Sequence, residues 1–154
     1  GYQRYSVASG HLSDDWITAL FTHGDVLFAG TYNSGVVRLE ATAPKRAPAR
    51  TKPSYAAARL GGGWINFGGL RVVSSGAAKN TFLLAATMAG LKMSALNVPE
   101  PAVQLMAPTA KVALGKDVTG TLAAPDGSLW IASRRGLSRQ PATILPRIKD
   151  PDGC

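Results

Sequence analysis

Two arginines stand side by side at Arg134-Arg135, between an apolar run and Gly136. Two guanidinium groups on a tight turn can hold a carboxylate, sulfate or phosphate through paired hydrogen bonds. The competing account is a pair of ordinary surface arginines. Tyr32, Asn33, Trp64, Asn66 and Met88 are the further candidates. They would add stacking surface and amide hydrogen bonds, the mix that small-ligand pockets use. The expected ligand is a small anion. Trp16 and Trp64 also suit a core between structural units, and for Trp16 the core is the preferred reading.

Other candidates carry less chemistry. Asp14 and Asp15 are adjacent, so on an extended chain their carboxylates point to opposite faces. Calcium needs roughly six to eight oxygens, and nothing nearby supplies them. A solvated loop or a cap on the following strand is the default, and a contribution to a binding face is the alternative. His11 lies four residues before Asp15, a spacing that allows an acid–base pair, but no nucleophile accompanies it. His23 sits in a turn. The stretch "LGGGWINFGGL" lacks the Lys-Ser/Thr ending and the following helix of a phosphate loop. Its glycines permit close backbone approach or flexibility. Cys154 is the sole cysteine, so no internal disulfide or multi-cysteine metal site can form. It could still pair with another chain. Neither metal nor cofactor is expected, and binding is favoured over catalysis.

The chain must position these groups with 154 residues, 45% of them apolar, which suits one domain with a real core. The net charge of +8 comes from 17 basic against 9 acidic residues. Such an excess can attract nucleic acid, anionic lipid or an acidic partner. Here the basic residues are dispersed without an aromatic stacking motif, so scattered surface charge is preferred and nucleic acid is not an expected partner. No apolar run reaches the about 18 residues of a membrane span. The start at Gly1, with no signal-peptide pattern, suggests a processed product or a fragment.

Short apolar runs bounded by Gly, Asn, Asp and Ser predict strands and turns throughout. A first unit over about 2–40 has strands at Tyr2–Tyr5, Trp16–Phe21, Val26–Thr31 and Val36–Glu40, with a hairpin at His23-Gly24-Asp25. Residues 41–54, with Pro44, Pro48, Pro53 and four basic side chains, read as an exposed insertion. A second unit over about 55–97 holds Tyr55–Leu60, Trp64–Phe67, Leu70–Val73, Phe82–Thr87 and Leu91–Leu96. Ala56–Leu60 has some helix propensity, cut short by Gly61–Gly63. A third unit over about 98–140 begins at Val103–Met106 or Val112–Leu114. It continues through Val118–Ala123, a turn at Pro125-Asp126-Gly127, Leu129–Ser133 and Leu137–Gln140. Residues 141–154 read as an extended tail.

The units share landmarks. Thr31, Thr87 and Ser133 end an apolar strand at spacings of 56 and 46 residues. Gly35, Gly90 and Gly136 precede the closing strand at spacings of 55 and 46. Trp16, Trp64 and Val118 open the strand expected innermost. About four short strands in a period of roughly 40–56 residues mark a β-propeller blade.

"YQRYSVASGHLSDDWITALFTHGDVLFAGTYNSGVVRLE" resembles the bacterial two-component regulator propeller repeat, and "KDVTGTLAAPDGSLWIASRRGLSRQ" is similar. The middle unit departs from the pattern at Gly62-Gly63 and at residues 74–80. The resemblance covers about two thirds of the chain. It implies that the turns at Tyr32-Asn33, Met88-Ala89 and Arg134-Arg135 share one face with the loops at Asp14-Asp15 and Gly62-Gly63.

The expected fold is therefore all-β: three four-stranded blades. Rings close with roughly 4 to 8 blades. Three would leave two open edges, to be completed by further blades from another chain or by a second copy. The resemblance implies a non-enzymatic ligand- or protein-binding segment of an extracytoplasmic sensor or a secreted module. Alternatives are an assembly subunit whose blade edges are the interface, and part of a propeller enzyme such as a lyase using His11.

Overall fold

Antiparallel hairpins account for all the regular structure in the computed structural model, which describes residues 2–42, 54–75, 80–97, 104–105 and 116–141. The fold is all-β, with no helix among the described residues, and so none long and apolar enough to cross a membrane. The first sheet runs in chain order through β1 (Ile17–His23), β2 (Val26–Thr31), β3 (Val36–Thr42) and β4 (Ser54–Gly61). The second contains β5 (Leu70–Ser75), β6 (Asn80–Thr87), β7 (Gly90–Ala95) and the two-residue β8 (Gln104–Leu105). The third has three strands, β9 (Val118–Ala123), β10 (Leu129–Ser133) and β11 (Gly136–Gln140).

The hairpins follow the turn residues. His23 pairs directly with Val26 across Gly24-Asp25, and Gly24 takes the left-handed conformation (φ 57°) that a two-residue connection needs. At the other hairpin, the amide of Gly127 donates to the Ala124 carbonyl at 2.9 Å, with Gly127 at φ 79°.

Burial explains why the middle run reads as continuously apolar. In β6, Leu83 and Ala85 face the first sheet, packing with Ala19, Phe28, Val36, Leu60, Ile65 and Leu70. Phe82, Leu84 and Ala86 face the other way, onto Val118, Leu129 and Ile131 of the third sheet. A strand buried on both sides has no polar alternation. The first strands of successive sheets are neighbours, β1 beside β5 and β5 beside β9.

Several strand assignments differ from expectation. Residues 2–16 form no strand. They fold over the outer face of the first sheet, where Leu12 is buried with Val37 and Leu39, and Tyr5 meets Tyr55 edge-on at 5.3 Å. The fourth strand of that sheet is 54–61, paired along its length with β3, so these residues belong to the first sheet and not to a second unit. The proline-rich stretch thus interrupts the first sheet between β3 and β4; its residues 43–53 lie outside the described residues. Ala56–Leu60 is strand rather than helix because β3 supplies its hydrogen-bond partners. Gln104–Leu105 closes the second sheet against Lys92 and Met93 and does not open the third. Val112–Leu114, the tail beyond Pro141 and Cys154 lie outside the described residues.

The strand nearest the neighbouring sheets in the second sheet starts at Leu70, not at Trp64. Residues 64–69 instead form a bridge. The amide of Ile65 donates to Thr31 at 3.1 Å, that of Gly68 to Thr18 at 3.0 Å, and that of Asn66 to Ala86 at 2.9 Å. Alternate use of two sheets leaves no continuous ladder for a strand.

Candidate functional site

The repeated landmarks build one local device three times. The hydroxyl of Thr31 donates to the Gly35 carbonyl at 2.8 Å, that of Thr87 to Gly90 at 2.7 Å, and that of Ser133 to Gly136 at 3.2 Å. The three glycines have φ of 80°, 130° and 119°, all in the left-handed half of backbone space. At Gly35 the constraint is also one of contact, since a Cβ would fall 1.9 Å from the Gly61 carbonyl oxygen. Each device ends a strand and hands the chain to a turn residue: Tyr32, Met88 or Arg134.

A second backbone bond ties two of these turn residues to the start of their own sheet. The amide of Tyr32 donates to the Trp16 carbonyl at 3.0 Å, and that of Arg134 to the Asp117 carbonyl at 3.2 Å. Trp16 and Asp117 each immediately precede the first strand of a sheet. The pairs Trp16/Tyr32 and Asp117/Arg134 therefore occupy equivalent backbone seats. The amide of Asp117 also donates to the Met88 carbonyl at 2.8 Å, joining the second sheet's turn to the third sheet.

The side chains on the two seats behave differently. Trp16 and Tyr32 stack, ring centroids 4.3 Å apart and planes within 13°. Trp64 extends the row, 4.1 Å from Tyr32 at a 50° tilt. Trp16 is 54% exposed, so it belongs to a surface row and not to the core between sheets. Its amide is held by Asp14, whose carboxylate also accepts from the Asn33 amide, both at 2.9 Å. Asp15 accepts from the Val7 amide at 2.8 Å. Both carboxylates thus fix loop backbone, and Asn33 enters the site only through that bond.

The other seat opens into a cavity of about 420 Å³ lined by Trp64, Asn66, Phe67, Met88, Asp117, Thr119 and Arg134. Four residues singled out from the sequence meet here: Trp64, Asn66, Met88 and Arg134. Arg135 does not line it; its amide donates to the Ser133 hydroxyl at 3.2 Å. Asn66 is locked by donation from Nδ2 to the Val118 carbonyl at 2.6 Å. Phe67, Asp117 and Thr119 were missed. Asp117 could have been found by aligning the residue before Val118 with Trp16 before Ile17. Phe67 and Thr119 carry no comparable signal, because only the bridge between sheets brings Phe67 to this end.

Asp117 is at φ 58°, the sole non-glycine residue in the left-handed region among the described residues. Among the described residues, no hydrogen bond or ion pair engages its carboxylate or the Arg134 guanidinium. The opposite end of the same sheet shows the closed alternative. There Asp126 pairs with Arg139 and accepts from the amide and hydroxyl of Ser128, at 2.9 and 2.6 Å. These Ser128 bonds, with Arg139, hold the Asp126 carboxyl down at about 2.

The proposed acid–base pair does not assemble. His11 Nδ1 is hydrogen-bonded to the Ser9 hydroxyl at 2.9 Å and its ring meets Tyr5 edge-on, while Asp15 is occupied by Val7. His23 is exposed in its hairpin. No cluster of metal-ligating side chains occurs among the described residues. Comparison with family models, with curated proteins and with solved structures gives no match.

Proposed function

We propose that this chain is a non-enzymatic, ligand-binding segment of a β-propeller, in which the three sheets are blades and the turn end carries the site. The observation that carries the reading is the cavity between the second and third sheets, where Trp64, Phe67 and Met88 stand beside an Arg134 guanidinium that has no partner among the described residues. Pockets of this size and mix take small ligands. The blade reading is supported by the threefold turn device, by face-to-face burial of the middle sheet and by the adjacency of β1, β5 and β9. The sensor or secreted setting rests on the repeat resemblance alone. A fragment screen by amide chemical shifts on the isotopically labelled chain tests the site. Shifts confined to the amides of residues 64–67, 88–89, 117–119 and 134 support it. A full panel that leaves these amides unmoved removes it.

A specific observation also favours completion by further blades. The outer face of the first sheet is covered by Tyr5 and Leu12. That of the third sheet leaves Leu122 and Leu137 at 55% and 65% exposure, beside Trp130 and Ala132 in an open apolar cavity. Such a face fits a neighbouring blade from another chain or a second copy. Light scattering on the purified chain tests this: a dimer or larger species is expected, and a monomer at high concentration would count against self-completion.

A further inference from the structure

The binding reading does not say which ligand, and the two equivalent seats supply a reason to choose. On the first sheet the seat is self-satisfied: Trp16 and Tyr32 spend their ring faces on each other. On the third sheet the same seat holds Asp117 and Arg134, charges of opposite sign that line one cavity and do not close on each other. Ion pairing is available to this sheet, as Asp126 and Arg139 show at its other end. The cavity thus offers a carboxylate and a guanidinium separately. Its remaining walls include Trp64, Phe67 and Met88, all apolar and all exposed.

Asp117 adds an independent signal. A left-handed backbone disfavours most residues with a Cβ; glycine is the default there, and asparagine and aspartate are the better-tolerated exceptions. Among the described residues, glycine already takes a positive φ at ten other positions. Asp117 is a non-glycine residue at positive φ on the cavity wall, and residues in sparsely populated backbone regions cluster at ligand sites.

We infer that the cavity binds an α-amino acid with an apolar side chain as its zwitterion. The ligand carboxylate takes the Arg134 guanidinium, and the ligand ammonium takes the Asp117 carboxylate. The ammonium also gains from the nearby indole of Trp64, because cations are drawn to aromatic faces. The apolar side chain lies against Phe67 and Met88. This inference rests on the binding reading above and adds the ligand class to it.

The test titrates the labelled full chain at mildly acidic pH with four probes that share one ring. L-phenylalanine carries both charges, N-acetylphenylalanine only the negative, phenylalaninamide only the positive, and N-acetylphenylalaninamide neither. Phenylalanine should bind roughly tenfold or more tightly than either singly charged probe, the ratio expected for one charge-assisted hydrogen bond. Asp117→Asn should lower phenylalanine to the affinity of the N-acetyl anion, since asparagine accepts the left-handed backbone and removes only the charge. Arg134→Gln should lower it to that of the amide. If Asp117→Asn disturbs the spectrum of the free protein, Asp117→Gly replaces it without strain.

Equal affinity for all four probes, or a preference for the anions alone, overturns the amino-acid assignment. Both outcomes leave the site standing as a binding pocket. A cavity that answers the fragment screen but none of these probes does the same. Silence in both experiments removes the assignment and the binding reading together.

Discussion

The first and third sheets present the same seat with opposite contents, and the difference shows what the repeat constrains. At Trp16/Tyr32 and at Asp117/Arg134 an identical backbone hydrogen bond joins the residue before the first strand to the residue after the second. The shared backbone fixes that bond in these two sheets, and in all three sheets the hydroxyl that closes the turn and the glycine that follows. It leaves the two side chains free. One pair has become a packed aromatic surface, the other an open pair of charges. The fold allows this because none of the four side chains belongs to the buried core.

The largest effect expected from breaking this comparison is at the turn glycines. Gly35→Ala places a Cβ 1.9 Å from the Gly61 carbonyl and keeps a left-handed backbone. Together these should cost about 3 kcal/mol or more. Gly136→Ala also keeps a positive φ, 119°, but has open space around it, so about 1–2 kcal/mol is expected. Urea unfolding of the two variants reads the difference directly, and equal losses would mean that the turns are not set by packing.

The closing hydroxyl is next. Thr31 is fully buried, donates to Gly35 and accepts from the Ser34 amide at 3.0 Å. Thr31→Val should therefore destabilise by about 2 kcal/mol. Ser133 sits in a wetter turn, and Ser133→Ala should cost about 0.5 kcal/mol. Thermal unfolding of both variants checks the ranking, which a larger loss at Ser133 would reverse.

A smaller effect of the opposite sign is expected at the open seat. Asp117→Gly should stabilise the chain by about 0.5–1 kcal/mol, because it relieves the φ of 58°. A loss of stability would show that the Asp117 side chain supports the fold. The smallest effect belongs to the closed pair at the other end of the third sheet. Asp126 has its folded pKa lowered to about 2 by Ser128 and Arg139. A carboxyl lowered on folding stabilises fully above its unfolded value near ~3.9, and that contribution disappears as pH falls toward 2. Between those limits, Asp126→Asn should flatten the pH dependence of unfolding; a slope unchanged from the parent chain would contradict the Ser128–Arg139 contacts.

Much of the fold was legible because its signals are local. Thr31, Thr87 and Ser133 with their glycines marked the strand ends, and all three hydroxyl–carbonyl bonds form. The Gly24-Asp25 and Pro125-Asp126-Gly127 turns followed from backbone chemistry in the same way. Strand partnership was harder to read. Tyr55–Leu60 looked like the opening of a new unit because the proline-rich stretch separates it from β3, yet sheet pairing ignores sequence distance. Trp64–Phe67 read as a strand from its apolar residues, although its amides serve two different sheets.

The sequence by itself marked the three strand ends with their glycines and the apolar middle strand, and it named four of the residues that line the cavity. Each rests on short-range chemistry: a glycine that must turn left, a hydroxyl within reach of a carbonyl, a run with no polar member. Only the tertiary structure decided which strands share a sheet and that Trp16 faces water. It alone brought Asp117 and Phe67 to the same cavity as Arg134. Those facts depend on how one sheet docks on the next. Docking is set by the summed burial of side chains far apart in the chain, which no local pattern encodes.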